Sequence, residues 1–280
     1  MMPDIGFLNG RFMPLAEAMV PVEDRGYQFG DGVYEVIRTY RGVPFQVEAH
    51  LARLERSAGA IGLPLPFRTS EWLGYVTEGI RLAGYAESKV YLQLTRGVAP
   101  RDHLFPVGTP PTAVMTVREM RSLDPVLCAT GVPVITVEDL RWGRCDIKSV
   151  NLLPNVMARQ QAKEAGAFEA IFVRAGEVIE GAVSNVMMVR SGVLVTAPAD
   201  ERILSGVTRA VVLDLARKEG IPVEERAIRV EEFRGADEIF LTGTTVEILP
   251  VIGVDGVTVG TGRLGELTRV LTHRFRSSVE

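Results

Sequence analysis

The chain has 280 residues, 46% of them hydrophobic and 24% charged, enough to bury one large or two moderate cores. Its formal net charge of −4 gives no electrostatic reason to expect nucleic acid or an anionic membrane surface as partner, and no apolar run approaches the ~18 residues of a membrane span. The N-terminus carries neither the basic nor the apolar region of a secretory signal, and Cys128 and Cys145 form neither a disulfide framework nor a metal-type spacing. A cytoplasmic enzyme or binding protein, without a metal, is expected.

Residues 5–13 read as two short strands around Asn9-Gly10, a strong hairpin signal. The stretch 22–38 divides in two. Gly26, Gly30 and Gly32 in its first half imply tight backbone or the close approach of another group. Its second half alternates as a strand, with Val33, Glu35 and Ile37 on one face and Tyr34, Val36 and Arg38 on the other. A buried glutamate among apolar neighbours is costly, so the pattern leaves open whether the Tyr34 face looks into a cavity instead. Residues 49–61 are helical, with Leu51, Leu54, Ala58 and Ile61 on one face. Arg53 lies beside that stripe, either exposed to solvent or directed toward a groove. A second helix is predicted from about Thr69 to Ala83, capped by Thr69 or Ser70. Residues 89–96 form a strand, and the loop 97–106 after it carries Arg101 and His103. Two such groups on one side of a loop suit a carboxylate ligand; solvated loop side chains are the plainer alternative.

After a strand ending near Val117, the charged, proline-closed stretch 118–125 reads as a linker. The expected division is 1–118 as a small N-terminal α/β domain, 119–128 as the interdomain linker, and 129–280 as a larger C-terminal cofactor-binding domain. The last opens with a strand at 132–137 and reaches Lys148 within the stretch 145–155. Only four of the 31 basic residues are lysines. Lys163 and Lys218 precede Glu near helix ends, where complementing the dipole is role enough, and Lys89 begins a strand. Lys148 sits between an apolar strand signal and a turn. A lysine that gives up its charge on burial is a Schiff-base candidate, set against the bland reading of a surface lysine at a strand end.

A helix follows over 154–165, with a proline start and Gly166 as its stop. Two hairpins come next, 170–173 with 177–180 and 186–189 with 193–196, and the first places Glu180 at a strand end before Gly181. Leu204-Ser-Gly-Val207-Thr208 leads into a helix at 209–219, where free N–H groups make either an anion site or an ordinary N-cap. Residues 238–242 form a buried strand ending in Gly243-Thr244-Thr245. Gly260-Thr-Gly-Arg-Leu-Gly265 matches the dinucleotide fingerprint, but the chain ends too soon for the helix, second strand and acidic residue that fold requires. It is read as a turn before a terminal helix. Short strands mixed with helices point to an α+β (mixed α/β) enzyme in two domains.

These signals converge on one ligand. Pyridoxal phosphate needs an amine for C4′, a partner for its ring nitrogen and a phosphate cup. Lys148, Glu180, and a cup of Val207, Thr208 and the Gly-Thr-Thr turn with Arg53 as countercharge supply that set. A non-catalytic binder of the cofactor, or a dehydrogenase built on the glycine motif, are the readings from other classes.

The stretches Arg25-Gly-Tyr-Gln-Phe-Gly-Asp-Gly-Val-Tyr-Glu-Val36, His50-Leu-Ala-Arg-Leu54, Lys148-Ser-Val-Asn-Leu-Leu-Pro-Asn155, Glu180-Gly-x-x-Ser-Asn185 and Gly243-Thr-Thr-x-Glu247 resemble the class IV aminotransferases, the fold-type IV pyridoxal-phosphate enzymes. The likeness runs from about residue 5 to 275. It is strongest to the D-amino-acid branch, through Arg101-Asp-His103, Tyr34 and the run 151–158. The resemblance implies that Lys148 carries the cofactor and shuttles the proton, and that Glu180 binds the pyridine nitrogen. Arg53, Val207, Thr208 and Thr244 would hold the phosphate, and Leu204 would pack on the ring. Tyr34 and Thr245 would line the substrate side, with Arg101 and His103 crossing a homodimer interface to trap the substrate carboxylate. The implied reaction moves an amino group from a D-amino acid such as D-alanine to 2-oxoglutarate or pyruvate by a ping-pong mechanism. Branched-chain L-amino-acid or (R)-amine transaminases and aminodeoxychorismate lyase are the alternatives. Ala182, Val183 and Gly243 depart from the serines of the D-amino-acid branch, and Gly243 resembles the branched-chain branch.

Overall fold

The structure, a computed structural model, describes residues 4–279 and falls into two compact units. The first comprises the chain through Arg121 together with Ile147–Asn151; the second comprises Ser122–Asp146 and the chain from Leu152 onward. The short segment bearing Lys148 therefore packs in the first unit, although it lies in the C-terminal half of the sequence. Helices and strands are interspersed throughout, the α+β arrangement that the sequence pattern implies.

In the first unit the elements are β1 (Ile5–Leu8), β2 (Arg11–Pro14), α1 (Arg25–Phe29), β3 (Gly32–Tyr40), β4 (Val43–Pro44), α2 (Val47–Ala60), α3 (Thr69–Ala83), β5 (Ser88–Thr95) and β6 (Thr112–Glu119). Six strands form an antiparallel sheet in the order β2-β1-β6-β5-β3-β4. Val33 and Ile37 of β3, Val90, Leu92 and Leu94 of β5, and Leu51, Leu54, Trp72 and Val76 of α2 and α3 share one apolar core. Phe7, Phe12, Phe67, Trp72 and Tyr75 close its far end with edge-on and tilted ring contacts. The other sheet face presents the alternate residues Tyr34, Val36, Tyr91 and Gln93, all half-buried.

The glycine-dense stretch before β3 is not plain loop: it contains the short helix α1. Asp24 caps it, accepting the Gly26 N–H at 2.8 Å, and Gly30 ends it in the left-handed region at φ 67°. The expected close approaches are there. A Cβ on Gly26 would collide with Thr95, and one on Gly30 with the Asn151 amide. Residues 147–151 then run along the free edge of β3. Lys148 C=O accepts from Tyr34 N–H at 2.9 Å, and Gly32 C=O accepts from Val150 N–H at 3.1 Å.

In the second unit the elements are α4 (Pro125–Thr130), β7 (Val132–Glu138), α5 (Leu153–Glu164), β8 (Glu169–Arg174), β9 (Glu177–Gly181), β10 (Asn185–Arg190), β11 (Val193–Thr196), α6 (Val207–Lys218), β12 (Val223–Glu225), β13 (Ile228–Arg229), α7 (Val230–Arg234), β14 (Glu238–Gly243), β15 (Glu247–Val254), β16 (Val257–Thr258) and α8 (Glu266–Val279). A ten-stranded mixed sheet runs β12-β11-β10-β14-β15-β7-β8-β9-β13, with β16 on β15. Several elements escape the sequence pattern, α4 and β15 among them. The charged stretch 118–125 supplies the end of β6 and the Asp124 cap and Pro125 start of α4. The central strand β15 is disguised by Pro250, a residue that cannot donate to a ladder, and its register shifts between Val251 and Gly253. The Gly260 motif is a turn before α8, with Gly260 and Gly262 at positive φ.

Glu35 settles the question left by the alternation in β3. It is fully buried on the core face, opposite Leu92. What makes this tolerable is α2: Arg53 donates Nε to Oε1 at 2.6 Å and Nη2 to Oε2 at 2.9 Å, and His50 Nδ1 lies 2.7 Å from Oε2. Arg53 is thus not an exposed helix residue: it is buried, with Nε and one Nη turned to Glu35 inside the unit. Burial alone pushes the Glu35 carboxyl up, but the charge and hydrogen bonds of Arg53 and His50 overcome it and hold the pKa at about 2. Burial pushes His50 down against the pull of Glu35, so the ring is neutral and donates from Nδ1.

A carboxyl depressed to about 2 stabilises the fold fully above the unfolded value near 4.5, and that contribution is lost as pH falls through the interval between them. Urea unfolding across this window is expected to show falling stability in the parent. Glu35→Gln, which leaves Arg53 buried without its counterion, should be less stable by roughly 3–5 kcal/mol at neutral pH and should show a flatter acid slope.

Candidate active site

Each unit carries a polar cluster built from residues that the sequence singles out. In the first, β3 places Tyr34 on the sheet face opposite Glu35, and the segment 147–151 brings Lys148 to it. Lys148 is half-buried, and its Nζ stands 4.4 Å from the centroid of the Tyr34 ring. The same ring stacks on Tyr91 at 5.6 Å, and Tyr91 donates to Gln93 Oε1 at 2.6 Å. Burial and the nearby Tyr34 push the Tyr91 phenol to about 12, so it stays a neutral donor. The Lys148 backbone is fixed from both sides: its N–H donates to Ser57 Oγ of α2 at 3.1 Å, and its C=O accepts from β3. An amine on so constrained a main chain keeps its direction while its flexible stem moves.

Arg101 and His103 sit elsewhere in the same unit, exposed on the loop after β5. Both face the ring of Phe29 at the end of α1. Arg101 Cζ is 4.8 Å from its centroid, and the His103 ring is 5.4 Å away at a tilt of 51°. The two groups therefore share one aromatic partner.

In the second unit Glu180, buried at the end of β9, is gripped on both oxygens. Arg141 Nη1 donates to Oε1 at 2.5 Å, Asn185 Nδ2 to Oε2 at 3.0 Å, and the Leu204 N–H reaches both at 3.1–3.2 Å. Arg141 is itself held in a fork by Asp139, at 2.9 and 3.0 Å, over the Phe172 ring at 4.2 Å. Burial works against its charge, but the hydrogen bonds to Asp139 and the attraction of Glu180 raise its pKa, so it is a permanent cation. Asn185 also donates to Leu204 C=O at 2.9 Å, and its Oδ1 leaves no room for a Cβ on Gly206, the N-cap of α6. One amide thus ties the acid, the Leu204 turn and the start of α6 together. Val207 and Thr208 in the first turn of α6 are buried, and no side chain caps that helix. Its first N–H groups are the kind of donor set that accepts an anion. Thr244 and Thr245 lie half-buried in the turn from β14 to β15, next to Gly243.

Arg141, Asp139 and Asn185 are members that the sequence alone does not select. Asn185 closes the Glu-Gly-x-x-Ser-Asn stretch and is visible there as a motif residue. Arg141 has no local signal in a chain with so many arginines; only its contact with Glu180 shows what it does.

The family described as Amino-transferase class IV matches residues 32–254, which run through both units. D-alanine aminotransferase of Bacillus licheniformis is 44% identical over 271 residues, 97% of this chain and 95% of that protein. Among solved structures, the branched-chain amino acid aminotransferase of Escherichia coli superposes with a TM-score of 0.92 at 27% identity, covering 98% of this chain and 94% of that one. The branched-chain aminotransferase of the archaeon Thermoproteus uzoniensis, solved with norvaline, gives 0.89 at 31% identity over 98% and 94%. A family model that matches most of the chain, and similarity at this identity over nearly the whole length, make the chain a member of the class IV aminotransferase family.

Proposed function

We propose that the protein is a D-amino-acid transaminase that uses pyridoxal 5'-phosphate to move an amino group from a D-amino acid such as D-alanine to 2-oxoglutarate or pyruvate. The observation that carries the substrate class is the pair Arg101 and His103, gathered on one aromatic ring. The 44% identity to a D-alanine aminotransferase supports it. When bound, the cofactor supplies an electron sink for the carbanion formed at the substrate Cα.

The residues present fit that group. Glu180, buried and gripped by three donors, is suited to pair with the ring nitrogen. The uncapped start of α6 with Val207 and Thr208 suits a phosphate, with Thr244 and Arg53 as further donors. Leu204 is suited to pack against the ring. Lys148 is the covalent anchor and the base that carries the proton, because its backbone is fixed by Ser57 and β3 while Nζ lies over an aromatic face. Tyr34 and Thr245 line the substrate side. Arg101 and His103 bind the substrate carboxylate as hydrogen-bond donors.

The working form is proposed to be a cytoplasmic homodimer. Apolar side chains open to solvent, among them Leu104, Phe105 and Val107 of the loop and Val156 and Met157 of α5, support a self-association surface. Cys145 is a free thiol, as a reducing compartment would keep it. Among the described residues no helix is long and apolar enough to cross a membrane. A branched-chain or (R)-amine specificity is the second reading, favoured by Gly243, which offers no hydroxyl beside Val183 and Ser184.

With 2-oxoglutarate as acceptor, D-alanine should be turned over and L-leucine should not; strict preference for the L substrate would overturn the assignment. Lys148→Ala should abolish both turnover and the absorbance near ~400 nm that follows covalent attachment. In Arg141→Met, Glu180 and Asp139 lose the cation between them. This variant is expected to unfold at lower urea, by roughly 3–5 kcal/mol, with the cofactor-loaded form the more affected.

A further inference from the structure

Phe29 is an aromatic residue that neither the apolar core of the first unit nor the proposed cofactor chemistry uses. It is half-buried at the last position of α1. It meets both Arg101, at 4.8 Å, and His103, at 5.4 Å, of the loop. The residue between them is held as well. Asp102 C=O accepts from Arg25 Nη1 at 2.5 Å, and its carboxylate accepts the Leu104 N–H at 3.1 Å. Arg25 is buried, lies 4.8 Å from the Phe29 centroid, and donates Nε to Asp31 at 2.9 Å. Asp31 also accepts from Arg96 at 2.9 Å, and Arg96 stands 3.6 Å over Phe105. Arg101, Asp102, His103 and Phe105 are exposed, yet each of them has a contact that fixes it to α1 or to the strand end beside it.

The choice of partner matters chemically. An acidic side chain would orient Arg101 but would neutralise it and occupy its fork. An aromatic face attracts a guanidinium through its quadrupole and leaves both the charge and the N–H donors for a ligand. One ring serving two side chains also fixes them relative to each other, which removes part of the ordering cost when a carboxylate binds.

We propose that Phe29, braced by Arg25, is the positioning residue that makes Arg101 and His103 a preformed carboxylate trap and so sets selectivity for substrates that bear a carboxylate. The inference rests on the reading of Arg101 and His103 as the carboxylate ligands. The test compares Phe29→Leu, Phe29→Tyr and Arg101→Ala as holoenzymes, with three readouts. These are KM and kcat for D-alanine, the inhibition constant of propanoate (a carboxylate without an amine), and the rate at which hydroxylamine (an amine without a carboxylate) attacks the bound cofactor. Phe29→Leu should raise both the D-alanine KM and the propanoate constant about tenfold, leave kcat within about twofold, and leave the hydroxylamine rate unchanged. Phe29→Tyr, which keeps the ring, should retain parental values. The positioning role is overturned if Arg101→Ala raises both constants and Phe29→Leu raises neither, or if Phe29→Leu slows hydroxylamine by the same factor as it weakens propanoate. If Arg101→Ala itself leaves both constants unchanged, the carboxylate reading falls, and this inference with it.

Discussion

The constraint on which the first unit depends is a carboxylate buried in its core. Glu35 stands on the apolar face of β3 with no access to water, a placement that is unfavourable by several kcal/mol without a partner. The partners come from a single face of α2, where His50, Arg53 and Ser57 follow one another at helical spacing. His50 and Arg53 fix the rotation and height of α2 against β3 through directional bonds, which apolar contacts alone would leave loose. Ser57, one turn further, is thereby placed to accept the Lys148 N–H. The lysine owes its position to a glutamate through a helix held in register by an ion pair.

The second unit solves the opposite problem with similar parts. There the acid, Glu180, is not enclosed by a single guanidinium fork. Arg141 gives Glu180 one N–H and turns its other donors to Asp139. Asp139 consequently moderates the cation while keeping it rigid, and Arg174 shares that carboxylate from the other side at 2.9 Å. Asn185 and the Leu204 N–H complete the hold on Glu180 with neutral donors, which orient an acid without cancelling its charge. The difference between Glu35 and Glu180 is thus a difference in how each is held. One is an ion pair closed on itself, and the other is an acid kept in place by a network whose strongest cation is divided between two carboxylates.

What could be read from the sequence follows from how local each signal is. The helices at 49–61 and 69–83 and the two hairpins after Gly166 depend on periodicity and turn residues within a few positions, and the structure has them within a residue or two. The glycine-dense stretch 26–32 reads only as tight backbone or a close approach, because glycine density hides the helix that Asp24 starts and Gly30 stops. The strand β15 is missed because Pro250 argues against a central strand, and only its neighbours β14 and β7 show that it is one. Charge pairs are the least legible. Glu35 and Arg53 are eighteen positions apart on different elements, so their union appears in neither pattern. The same holds for Arg141 and Glu180. Lys148 stands out for a different reason, the scarcity of lysine in a chain rich in arginine.

That same alternation along β3 explains why scaffold and chemistry do not interfere. Successive side chains of a strand point to opposite faces, so Glu35 and Ile37 serve the core while Tyr34 and Val36 face the side that receives Lys148. A slip of one residue would exchange the two sets, placing Tyr34 in the core and the Glu35 carboxylate beneath the lysine. The register is held against such a slip at several points. Bonds to residues 147–151 hold one edge, the β5 pairing holds the other, and the ion pair to α2 holds the buried face. Gly32 adds a steric lock, since any side chain there would strike the Leu94 carbonyl. Glu35 therefore does more than survive burial. By requiring Arg53 and His50 on its own side of the sheet, it forbids the alternative register and leaves the opposite face to Tyr34 and Lys148.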